Sequence, residues 1–264
     1  MDKKKTALAV RSVSLEEDAG QGFENTDKDS FAIPFLRILQ GLSPQCNKAN
    51  QEFIKGAEQG NLFNTVSKQY FDADADGDGV DFIICHYDRK FTEWAPNRGG
   101  FRGEHAPTDP ALTKATEQVD GEGKRQMVLP NGNSIQDTRY HFALQLDEDG
   151  GATRVLICCA SSGIKKSKRL MTELDGLKET NSAGKRYTPP LFYSIVTVKT
   201  VPESNDEGDW FNWDFTVKRQ LDLSDADDVE LYLAAKAFRD SIAKGAVKVV
   251  HDLGSETGSD VEQF

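Results

Sequence analysis

The chain has 264 residues, 38% of them apolar, and a formal net charge of −11. That length supports one large domain or two small ones, and the charge argues against blanket attraction of the whole molecule to polyanions. No stretch approaches about 18 uncharged apolar residues, which excludes a membrane-spanning helix at the level of sequence.

Residues 1 to about 30 are polar and lack periodicity, and read as a flexible N-terminal arm. The basic opening is followed by an apolar run that Arg11 interrupts, too short for a signal peptide. "FAIPFLRILQGLSP" is an apolar segment punctuated by Pro34 and ended by Gly41 and Pro44, compatible with a strand or a short helix. "GNLFNTVSKQYFD" reads as a strand or hairpin, and "VDFIICHYDRKFTEWAP" as a long strand. Residues 97–135 are rich in Gly, Pro, Asp and Asn and read as a long loop region. "TRYHFALQL" and "TRVLICCAS" flank "DEDGGA", a hairpin signature. A helix is predicted over about 162–178, where Ile164, Leu170, Met171, Leu174 and Leu177 recur at helical spacing. "LFYSIVTVKTV" and "WFNWDFTVKRQL" are two more strands, and a second helix is predicted over about 225–244 with Ser224 as its N-cap and Gly245 as its stop. Six to eight short strands with two helices suit an antiparallel α+β domain or a small barrel.

Several motifs point to chemistry and fail on a second requirement. Asp72, Asp74, Asp76, Gly77 and Asp78 copy the first half of an EF-hand loop, but the twelfth position, which needs a bidentate Glu, is Ile83. The four aspartates are thus weak metal candidates, and the favoured reading is an acidic turn entering a strand. Cys85 and His86 lack a second ligand pair at zinc spacing. The other cysteines, Cys46, Cys158 and Cys159, form no CxxC pair, and the adjacent two read as buried apolar residues of a reducing compartment. Ser162-x-x-Lys165 has the spacing of a serine–lysine acylase without its companion motifs. No catalytic residue and no cofactor are assigned.

Charge placement is more informative. Between Arg154 and Lys199 nine basic residues stand against three acidic ones, whereas the ten acids from Pro202 to Glu230 face only Lys218 and Arg219. Lys165, Lys166, Lys168 and Arg169 fall in the first turns of the predicted helix, where cations oppose the helix dipole and a phosphate would be welcome. Aromatic and basic residues interleave in "HYDRKFTEWAPNRGGFR", which supplies Arg89, Lys90, Trp94, Arg98, Phe101 and Arg102. With Lys185, Arg186 and Trp213 these form the stacking-plus-phosphate pattern of single-strand binders.

The C-terminal "SETGSDVEQF" holds acids, no base and a terminal phenylalanine. In this the chain resembles bacteriophage single-stranded-DNA-binding proteins, which pair an OB-fold with an acidic tail ending in Phe. "FLRILQGLSPQ", "FTEWAPNRGGFRGEH", "SSGIKKSKRL", "TVPESNDEGDWFNW" and "AAKAFRDSIAKGAVK" are similar to segments of a tailed-phage group of that presumed role, and extend the resemblance over about 31–250. The resemblance implies an OB-like domain over 31–250 and a disordered tail over 251–264. It implies sequence-independent binding of single-stranded DNA in the cytoplasm of a bacterial host, with no membrane partner. It assigns recruitment of phage DNA polymerase and helicase-primase to Asp260, Glu262 and Phe264. Homo-oligomerisation is left open. The rival readings are a phage structural or assembly protein, which would form oligomers without affinity for DNA, and a metal-dependent DNA-processing enzyme.

Overall fold

The computed structural model describes residues 18–19, 21–22, 24, 32–73, 77–96, 99–119, 123, 125–147, 149–206, 208–247, 249 and 251. In chain order the strands are β1 (Phe35–Ile38), β2 (Leu62–Asn64), β3 (Tyr70–Phe71), β4 (Val80–Trp94), β5 (Phe101–His105), β6 (Thr116–Val119), β7 (Arg125–Val128), β8 (Ser134–Leu146) and β9 (Ala152–Ala160). Helix α1 (Gly163–Gly176) follows, then β10 (Glu179–Thr180), β11 (Arg186–Tyr187), β12 (Ser194–Asn205), β13 (Gly208–Gln220) and helix α2 (Ala226–Ala243). The expected α+β class is met. Eleven strands form one sheet in the order β13-β12-β4-β8-β9-β1-β2-β3, with β5, β6 and β7 branching from it, and β10 and β11 pair by themselves.

The sheet buries both faces, and the alternation of its strands shows how. Phe82 and Ile84 of β4, Ala143 of β8, Val155 and Ile157 of β9, and Val196 and Val198 of β12 join one core with Leu170 and Leu174 of α1. The intervening residues Ile83, Phe142, Leu144, Leu156 and Ile195 join a second core with Ala235 and Phe238 of α2. A strand buried on both sides reads as a continuous apolar run, as in "FIIC" and "VLICC".

The sheet curls into a half-barrel. Its end strands β13 and β3 share no backbone ladder among the described residues. Side chains and loop carbonyls draw the two ends together instead. The Gln40 amide brackets the main chain of Phe211, donating to its carbonyl and accepting from its N–H, both at 2.9 Å. Thr200 donates its N–H to Ala73 O and its hydroxyl to Gly60 O, each at 2.6 Å. Gly60 is required there: its φ is +92°, and a Cβ would lie 2.8 Å from the Phe211 ring.

Beyond the core, the β4–β8 ladder continues outward to Trp94↔Ser134 as an arm, with β5 on β4 and β7 on the start of β8. This corrects the reading of 97–135 as loop. Those residues hold three strands and a short 3-10 helix (Pro110–Lys114). β5, β6 and β7 are short and mostly exposed, so they carry little of the apolar alternation that marks a strand. The N-cap of α2 is Asp225, not Ser224: the Asp225 carboxylate accepts from the N–H groups of Asp227 and Asp228. Asp78 leads into strand β4 and not into a helix, so the EF-hand geometry is not built. Asp72 and Asp78 are exposed, and Asp74 and Asp76 lie outside the described residues.

Candidate nucleic-acid interface

Helix α1 begins without the usual provisions. Ser162 precedes it with α-helical φ and ψ, its side chain makes no capping bond, and no acid stands in the first turn. The positive end of the helix dipole is therefore reinforced by cations and not compensated. Lys165, Lys168 and Arg169 are exposed and form no ion pair among the described residues. Lys166 differs, pairing with Glu203 of β12 at 2.8 Å. Burial would raise the Glu203 carboxyl, but the bonds from Lys166 and from Asn212 outweigh it and hold the group below the usual carboxylate range. The helix is held on the sheet by Leu170 and Leu174, and by Ser167, whose hydroxyl lies 2.8 Å from His141 Nε2 of β8. Burial, aided by Arg139, pushes the His141 imidazole down to about 4, so at neutral pH it is uncharged.

Ser162 also lines a cavity of about 360 Å³ whose wall includes Phe35, Leu42, Trp94, Trp210 and His251. The start of α1 thus opens onto an aromatic cleft. Trp94 is half-buried, donates Nε1–H to Thr92 Oγ1 at 3.0 Å, and meets Phe101 edge-on with ring centroids 5.7 Å apart. Leu42 is 82% exposed at the rim.

The arm contributes a second patch. On one face of the ladder Tyr87, Arg89 and Phe91 oppose His141, Arg139 and Asp137. Two arginines directly across from each other would repel. Asp137 resolves this by accepting two bonds from Arg89, at 3.0 and 2.8 Å, and one from Arg139 at 2.8 Å. The Arg89 guanidinium also lies 4.9 Å from the Phe91 ring centroid. Arg139 is buried, donates to Tyr87 Oη at 3.1 Å, and keeps a positive charge inside the arm. Sequence reasoning missed Arg139 and Asp137, whose roles arise from cross-strand pairing some 50 residues distant from β4.

The remaining candidates scatter. Lys90 sits on the opposite face of β4 from Arg89 and pairs with Asp88 at 2.9 Å. Arg102 is exposed and donates to Gly99 O at 3.3 Å. Lys185 and Arg186 are exposed in the β10–β11 hairpin and do not line the cavity. Trp213 is 2% exposed and stacks on Phe215, so its ring belongs to the core and offers no face to a base without opening it. Arg98, Asp260, Glu262 and Phe264 lie outside the described residues.

Two histidines near the arm were not singled out by sequence. His105 bonds Glu93 and Asp109 through its two ring nitrogens, both at 2.8 Å; Asp109 foremost, with Glu93, outweighs burial and raises its pKa. His251, assigned by sequence to the tail, packs into the fold: 9% exposed, stacked on Phe101 with centroids 3.9 Å apart, and 2.8 Å from Glu104 Oε1. Among the described residues no helix is long and apolar enough to cross a membrane, and no His, Cys, Asp or Glu cluster is arranged to hold a metal. Cys85 is buried, and burial pushes its thiol up to about 12, which removes it as a ready ligand.

A family model described as "Pam3 phage gp34-like protein" matches residues 3–248. No curated protein and no solved structure matches.

Proposed function

The chain belongs to the Pam3 phage gp34-like protein family, and from that premise we propose that it binds single-stranded DNA without sequence preference during phage DNA replication or recombination. The observation that carries the reading is the start of α1, where Ser162 lines an aromatic cleft walled by Trp94 and Trp210 and the exposed cations Lys165, Lys168 and Arg169 follow along the helix. Cations there would displace counterions from the phosphate backbone, while exposed ring faces would stack on bases. The Arg89–Phe91 pair extends the same chemistry along the arm. The curl of the sheet supports an OB-like reading, with Gln40 and Thr200 tying its ends in place of a closing ladder.

The acidic tail enters as a partner-recruiting element. Four acids and Phe264 follow His251, and that histidine is itself a wall of the cleft. The tail therefore starts at the site where DNA would lie. It can compete for the cations when DNA is absent, and be released toward polymerase or helicase-primase when DNA is bound. Titration with oligo-dT, followed by tryptophan fluorescence at two salt concentrations, tests the reading. Quenching that weakens as salt rises is expected. An absence of quenching at low salt would refute it, and oligomers without DNA affinity would favour an assembly role.

A further inference from the structure

His251 occupies a place built for a planar ring. Its imidazole lies parallel to Phe101, at 3.9 Å between centroids and 18° between planes, with Trp94 edge-on at 6.2 Å and Phe35 tilted at 5.1 Å. Its Nε2 faces Glu104 Oε1 at 2.8 Å and Tyr140 Oη at 2.9 Å, and Tyr140 donates to the same Glu104 oxygen at 2.7 Å. The slot thus combines a stacking face, an edge-on aromatic wall and a carboxylate aimed at the ring's edge. Aromatic, hydrogen-bonding slots of this kind receive bases. His251, Trp94 and Phe35 line the cavity, whereas Phe101, Glu104 and Tyr140, which contact the imidazole, do not. Removing the imidazole would open the slot to the cleft.

We propose that this slot is a nucleobase subsite that His251 fills in the free protein. On binding, a base of the single strand displaces the imidazole, stacks on Phe101 and offers an N–H of its pairing edge to Glu104. Thymine N3–H suits the lone pair that His251 would vacate on Glu104 Oε1, and guanine presents two adjacent N–H groups. This inference rests on the single-strand reading for its polymer, but the slot itself can be tested with a mononucleotide. Displacement of His251 would also move the chain that leads into the acidic tail, coupling base capture to tail release.

The test uses the full chain with His251→Ala, which empties the slot, and His251→Phe, which keeps a ring on Phe101. Because the occupied slot lowers the competent fraction, His251→Ala should bind oligo-dT at least about 5-fold more tightly than the wild type. His251→Phe should show no gain. Thymidine monophosphate should raise the melting temperature of His251→Ala more than that of the wild type. If the wild type binds oligo-dT while a folded His251→Ala binds equally or more weakly, the slot proposal is overturned and the single-strand reading stands. If no form binds oligo-dT, that reading falls, and the mononucleotide arm decides the slot alone: no stabilisation of His251→Ala overturns it. Should His251→Ala fail to fold, Phe101→Leu carries the test. It should weaken oligo-dT binding about 5-fold or more through loss of the stacking face, and wild-type affinity in that variant overturns the proposal.

Discussion

Helices α1 and α2 pack on opposite faces of one sheet and solve the problem of a helix start in opposite ways. In α2, Asp225 caps two N–H groups, and Asp227 and Asp228 complement the dipole. Asp228 is also pinned by Arg219 and accepts the Asp222 N–H at 2.7 Å. In α1 there is no capping side chain and no first-turn acid, and lysines stand where acids belong. Local rules are obeyed where a helix only has to be stable. They are broken in α1, whose positive end is left uncompensated.

The largest effect should come from erasing that difference in charge. Reversing Lys165, Lys168 and Arg169 to Glu should weaken oligo-dT binding by about 1,000-fold at low salt and flatten the salt dependence, since phosphate contacts dominate such affinities. Reversing the exposed Lys236 of α2 and Lys244 at its C-cap should change affinity by no more than about 2-fold. Equal losses from both helices would mean that binding follows net charge alone and that the start of α1 is not special.

Next in size is the anchoring of each helix. Asp228→Ala removes a buried carboxylate that holds Arg219 and the Asp222 N–H, and should cost about 3 kcal/mol in urea unfolding. Lys166→Ala, which breaks the half-exposed pair with Glu203, should cost less than about 1 kcal/mol. The helix that obeys local rules is thus the one whose polar anchor matters more.

The two anchors also differ in their response to acid. His141, beneath Ser167 of α1, has its pKa depressed in the folded state to about 4. Its contribution is fully present above its unfolded value of about 6.5. It is lost as pH falls toward about 4, up to about 3 kcal/mol in all. The Arg219 bond lowers the pKa of Asp228, against burial, so the tie of α2 is lost only as pH falls below the ordinary carboxylate range. Stability should therefore decline between pH 6.5 and 4 in the wild type. His141→Gln should flatten that decline, even if it costs stability at pH 7. Hydrogen exchange in this window should speed first in α1; simultaneous loss of both helices would contradict separate anchors.

How much of this was legible follows from what each element depends on. The long strands and both helices declared themselves through continuous apolar runs and helical spacing, and the α1 cations stood out because they break a local rule. Strands β5 to β7 did not, since β5 pairs with the far end of β4, β7 with the start of β8 and β6 with β7, and their own composition carries little pattern. Gln40 looked like any polar residue until the curl brought Phe211 to it. Arg139 acquires its role only when Asp137 and Tyr87 arrive from either side of the ladder. His251 was hidden by its place in the sequence, at the head of an acidic tail. Trp213 illustrates the reverse error: an aromatic-rich strand cannot say which ring faces solvent, and this one faces the core.

The smallest effect is the most discriminating, because its two readouts have opposite signs. Lys165 is the third residue of α1, in the first turn, where an acid is favourable. Lys165→Glu should raise unfolding stability by about 0.5 kcal/mol, since it supplies the compensation that α2 already has. The same substitution should weaken oligo-dT binding by about 10-fold, as it replaces a phosphate contact with a repulsive charge. A surface lysine without a role would give at most one of these changes. Gain in stability joined to loss of binding would identify the start of α1 as a place where the fold gives up local stability for a ligand. If the variant is stabilised and binds as well as the wild type, the cations are a solvated face and the contrast between the two helices is one of composition only.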